Sequence, residues 1–106
     1  MIKASLLDEI FFNEDYPALH ILVNTPFTKE IRITMRAGQT LPEKANKYPI
    51  SISIVQGKLQ LVSEGHKMDL GRGEIISLNP DTPHSLTAME ESIIRLTITK
   101  SDRHLE

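Results

Sequence analysis

Residues 50–62 read ISISIVQGKLQLV, two short runs of strict alternation on either side of a glycine. In a strand, successive side chains point to opposite faces, so Ile50, Ile52 and Ile54 share one side and Ser51 and Ser53 the other. The dipeptide Gln56-Gly57 interrupts the pattern for two residues, the length of a tight hairpin loop, and alternation resumes at Leu59 and Leu61. This stretch is therefore a β-hairpin with one apolar face.

The same period of two recurs along the chain. LHILV (19–23), EIRITMR (30–36), HKMDL (66–70), EIISL (74–78), HSLTA (84–88) and SIIRLTIT (92–99) bring the number of expected strands to eight. The breakers NTPF, AGQTLPEKANKYP, SEG, GRG and NPDTP separate them. Every proline falls in these connections or at a segment edge, where no central ladder bond is lost. Eight short strands without a long helix predict a β-sandwich or barrel. Ile31, Ile33 and Met35 oppose Arg32, Thr34 and Arg36, and Ile94, Leu96 and Ile98 oppose Arg95, Thr97 and Thr99. The apolar sets should line one interior, at roughly 1.5–3 kcal/mol for each large side chain buried. The three arginines on the opposite faces read as solvated or interface positions. Residues 1–12 carry Leu6, Leu7, Ile10 and Phe11 at helical spacing, with Ser5 and Asp8 placed like a capping pair. A short helix or an irregular lead-in both fit.

At 106 residues and a net charge of −2, the chain reads as one domain (residues 1–104) with no electrostatic call for nucleic acid or anionic lipid. It contains no cysteine, which removes disulfides and thiolate metal sites and fits a reducing cytoplasm. The opening MIKASLLDEIFF has charges inside its apolar stretch and reads as neither signal peptide nor membrane anchor. Leu105 and Glu106 read as a cloning scar ahead of a purification tag. No serine elbow, phosphate loop or HExxH pair occurs.

Two motifs in residues 38–88 resemble those of the cupin superfamily, small jelly-roll β-barrels. The first is GQTLPEKANKYPISISIVQG, bounded by Gly38 and Gly57 at the family's glycine spacing. The second is GEIISLNPDTPHSLTA, running from Gly73 and Glu74 through the Pro80–Pro83 turn to His84. The resemblance implies an all-β cupin barrel and a homodimer built through edge strands. It also implies a transition metal held at four positions, which fall here on Lys44, Asn46, Ile50 and His84. Three of the four are not metal ligands. An ammonium repels a cation, an amide is a weak ligand and isoleucine has no donor, so the usual cofactor is not expected.

The expectation is a metal-free barrel that binds an unidentified small molecule. Ile50, Ile52, Ile54, Leu86, Ile94 and Leu96 would line the cavity, His84 would be its main polar contact, and Lys44 and Asn46 would stand at the mouth. Two alternatives remain open. One is an enzyme of isomerase or dioxygenase type, using His84 and Lys44 as acid and base or a metal on an unconventional set of His84, His20 and Glu43. The other is a dimeric structural module with a filled cavity. Tyr48 would anchor the loop before Pro49, or close over a ligand, and His66 and His104 would be exposed.

Overall fold

The computed structural model describes residues 1–100. His104, Leu105 and Glu106 lie outside the described residues, together with the readings attached to them. Among the described residues there are nine strands and no helix. They are β1 (Ala18–Asn24), β2 (Thr28–Met35), β3 (Thr40–Lys44), β4 (Ile50–Gln56), β5 (Lys58–Ser63), β6 (His66–Gly71), β7 (Ile75–Leu78), β8 (His84–Ala88) and β9 (Ser92–Thr99). They form two antiparallel sheets, one of five strands in the order β1-β2-β9-β4-β7 and one of four in the order β3-β8-β5-β6. The chain is an all-β jelly roll. No helix among these residues is long and apolar enough to cross a membrane.

The alternating residues of the sequence fill the space between the sheets. Ile31, Ile33, Ile52, Ile54 and Ile94 from the five-stranded sheet meet Leu59, Leu61, Leu70 and Leu86 from the other, all buried in one cluster. Gly57 closes the β4–β5 hairpin with φ +98°, and a Cβ there would come inside 3.0 Å of Ser92 and Glu91. Glycine is the residue that fits both the left-handed backbone and the close approach. Ser92, fully buried, accepts the Lys58 N–H at 3.1 Å and donates to the Glu90 carbonyl at 2.7 Å, which binds the hairpin to the start of β9.

One expectation needs correction. Thr40–Lys44, read as loop, is a strand that pairs with β8. Of the two readings open for residues 1–12, the irregular lead-in is the one formed, with a single turn and no helix. Ser5 Oγ does accept the N–H groups of Leu7 and Asp8, both at 3.1 Å, but Glu9 takes φ +51° and no further turn forms.

The N-terminal segment instead runs over the outer face of the five-stranded sheet. Arg32, read as a solvated or interface position, is 3% exposed. Its guanidinium donates to the carbonyls of Leu6 (3.4 Å), Asp8 (2.7 Å) and Glu9 (3.1 Å). Thr34 donates to the Phe11 carbonyl, and Gln39 Nε2 to that of Asn13 at 2.8 Å. A segment with no ladder partners thus has its carbonyls satisfied by side chains of the sheet beneath it. Arg95 is on the outer face and half-exposed as expected, in a bidentate pair with Glu30 at 2.9 Å.

Candidate functional site

His84 begins β8, and the preceding turn is built to present it. Asp81 takes the left-handed backbone (φ +62°), and its N–H donates to the Asn46 carbonyl at 2.7 Å. Thr82 Oγ1 donates to the Asn79 carbonyl at 2.8 Å, and Ser63 Oγ to the Pro83 carbonyl at 2.7 Å. These contacts tie the turn to both the preceding loop and β5. The His84 ring, 6% exposed, then places Nδ1 3.0 Å from the Thr82 carbonyl. A carbonyl only accepts, so Nδ1 carries the proton, and in the neutral form of the ring Nε2 is the acceptor. Nε2 has no partner among the described residues, yet no buried polar atom among them is unsatisfied. Nε2 therefore has open space beside it.

His84 also lines a cavity of about 280 Å³ between the sheets. Ile33, Ile52, Ile94 and Leu96 wall it on one side, and Leu86 and Leu41 on the other. Leu19, Pro42, Glu43 and Lys44 stand at its mouth. His84 is the one buried polar side chain on the lining.

Lys44 faces His84 because β3 is bulged. Leu41 pairs with Leu86 and Lys44 with His84, so Pro42 and Glu43 together oppose the single residue Ser85. An unbulged strand would set Glu43 opposite His84 and turn Lys44 to the other face. The Lys44 side chain forms no ion pair or hydrogen bond with any described residue.

Of the remaining expected lining residues, Ile50 and Ile54 are buried in the core cluster and do not border the cavity. Asn46 turns back into its own loop, where Oδ1 accepts the Tyr48 N–H at 3.1 Å. Tyr48 packs against the core cluster, with Lys47 Nζ 5.1 Å from its ring centre, and so anchors the loop. His66 is exposed.

His20 pairs with Arg32 and borders a separate hollow of about 80 Å³ under the N-terminal segment. It does not meet His84 and Glu43, and among the described residues no three His, Asp or Glu side chains gather as a metal shell. The unconventional metal set is not assembled. Three of the four positions to which the cupin resemblance assigns metal ligands do not fit a metal either: Asn46 Oδ1 is engaged by backbone, Ile50 is buried among aliphatic side chains, and Lys44 offers an ammonium. Leu19, Ile33, Leu41 and Pro42 line the cavity without having been expected there. Ile33 already shared the inner face of its strand, whereas Leu41 and Pro42 sat in a stretch whose alternation the bulge hides.

Two antiparallel sheets closed around such a cavity define the cupin-type jelly roll, and comparison with solved structures agrees. An RmlC-like cupin protein from Desulfovibrio desulfuricans matches with a TM-score of 0.87 at 21% identity, over 94% of this chain and 97% of its own. A conserved protein with a double-stranded beta-helix domain from Klebsiella pneumoniae matches at 0.84 and 13% identity, over 94% and 90%. KdgF from a Halomonas species matches at 0.72 and 23% identity, over 84% of each chain. No protein-family model and no curated protein matches the sequence. At these identities the likeness establishes the cupin fold.

Proposed function

We propose that this chain binds a small, mainly apolar molecule between its sheets, with His84 as the main polar contact and no metal. The carrying observation is the cavity of about 280 Å³, walled by aliphatic side chains around one buried histidine. Apolar pockets with a few placed polar groups are the usual form of small-molecule sites. A cavity of this size also weighs against a structural module with a filled interior. The test is a thermal-shift and NMR screen with neutral monocyclic compounds, since a ligand of the native state raises stability by about 2.7 kcal/mol at a hundredfold excess over Kd. Saturable binding with shifts at Ile52, Leu86 and Ile94 is expected. A screen without any such binder overturns the proposal.

The Lys44–His84 pairing supports a second reading, a metal-free acid–base enzyme of isomerase type. Deuterium incorporation from D2O into a bound compound, lost in His84→Gln, would establish it, and absence of exchange in every bound compound would dismiss it. The proposal extends to a homodimer through the unpaired edge of β1. There Leu19 and Ile21 are half-exposed on the inner face beside buried Ile31 and Ile33. Sedimentation should give a dimer that Ile21→Lys dissociates. A monomeric parent protein would refute that part. A cytoplasmic setting is supported by a sequence without cysteine.

A further inference from the structure

We infer that the occupant of this cavity is an apolar hydroxy acid, its carboxylate taken by Lys44 and its hydroxyl by His84; this rests on the small-molecule reading above. Three observations carry it. Lys44 and His84 are cross-strand partners at one end of the cavity, and Lys44 has no counter-charge within ion-pair distance among the described residues. The Lys44 ammonium thus puts an unpaired positive charge at the mouth of the barrel. The histidine is complementary to it in a different sense. With Nδ1–H given to the Thr82 carbonyl, the ring in its neutral form presents a lone pair at Nε2. To that lone pair a carboxylate oxygen has no proton to give, whereas a hydroxyl beside the carboxylate donates.

Size narrows the class further. A dry cavity of about 150 Å³ takes benzene, with its six carbons. At that packing, the 280 Å³ here takes roughly 11 non-hydrogen atoms. A single ring or a medium aliphatic chain, attached to a two-carbon hydroxy-acid head, fills that volume. Glu43 also lines the mouth and opposes an anion, but the bulge gives the place opposite His84 to Lys44.

The test uses three probes of matched shape on the full chain: 3-phenyllactate, 3-phenylpropanoate and 3-phenylpropanamide, with affinities from calorimetry at low ionic strength. Phenyllactate should bind tightest, phenylpropanoate next, and the amide weakest by about tenfold against the propanoate, the usual worth of one charge-assisted hydrogen bond. In Lys44→Gln the propanoate should fall to the amide's level while the amide is unchanged, and Lys44→Arg should restore the difference. Lys44 is exposed, so both variants should melt like the parent. The hydroxyl contribution is read from the ligands alone and needs no change at His84. Equal binding of propanoate and amide, a preference that survives Lys44→Gln, or a lactate no tighter than the propanoate would each overturn the inference. If other neutral apolar compounds bind and these acids do not, the inference fails and the small-molecule reading stands. If nothing apolar binds, both fail.

Discussion

Lys44 lies directly across the β3–β8 ladder from His84, and it does so because Pro42 and Glu43 together occupy the space opposite Ser85. One extra residue decides whether an ammonium or a carboxylate faces the buried histidine. Glu43 is left beside the mouth, close enough to oppose an anion and exposed enough to be screened by water. Glu43→Gln should therefore tighten phenylpropanoate by a factor of roughly two to five, the range expected of one exposed charge interaction. It should leave phenylpropanamide unchanged. Calorimetry on the two ligands checks this, and a gain shared equally by the neutral amide would contradict it.

Arg32 binds the N-terminal segment to the sheet through three backbone carbonyls. Arg32→Ala leaves those carbonyls without their donor and opens a gap under the segment. A loss of about 2–4 kcal/mol in urea unfolding is expected, the range for breaking a buried hydrogen-bonded network. Limited proteolysis should cut the variant within residues 1–13 well before the strands, and hydrogen exchange should quicken there first. A variant that unfolds and is cleaved like the parent would mean the segment is held by other contacts.

The strands inside the barrel were legible because alternation is a direct imprint of two-faced burial. Ile50, Ile52 and Ile54, like Ile94, Leu96 and Ile98, sit inside as their spacing required. The pattern failed where that physics does not apply. Thr40–Lys44 carries a proline and a bulge, and a two-against-one pairing destroys the period by which a strand is recognised. Arg32 misled in the opposite way. Its alternation placed it correctly on the outer face, but that face is covered by a segment with no periodicity of its own. Leu6, Leu7, Ile10 and Phe11 have helical spacing, yet the carbonyls of Leu6, Asp8, Glu9 and Phe11 are taken by Arg32 and Thr34. At the candidate site His84 was legible from its turn. Lys44 was placed by the family spacing, while Asn46 was lost to a local backbone bond.

Glu30 accepts two hydrogen bonds from Arg95 and a third from Thr97 at 2.6 Å, and the Arg95 guanidinium holds its carboxyl below the ordinary carboxylate value. A folded-state pKa below the unfolded one stabilises the fold above the unfolded value, and that contribution disappears as pH falls through the folded value. Arg95 has 46% of its side chain exposed, so solvent limits the pair to about 1 kcal/mol. Glu30→Gln should cost up to that amount at pH 7. The two proteins should converge as pH drops below the ordinary carboxylate range. Urea titrations at neutral and acid pH check the sign, and a gap that widens on acidification would show the pairing to be wrong.

Leu19 offers a way to close the cavity without disturbing the core. It stands at the mouth on an edge strand and is 54% exposed, so its side chain contributes little to the packed interior. Leu19→Trp should leave unfolding stability within about 0.5 kcal/mol of the parent, as for most surface changes. It should also weaken every cavity ligand together, neutral and acidic alike, by tenfold or more. That uniform loss separates it from Lys44→Gln, which should affect the acids alone. Unaltered affinity for both ligand classes in Leu19→Trp would place the binding site elsewhere on the molecule.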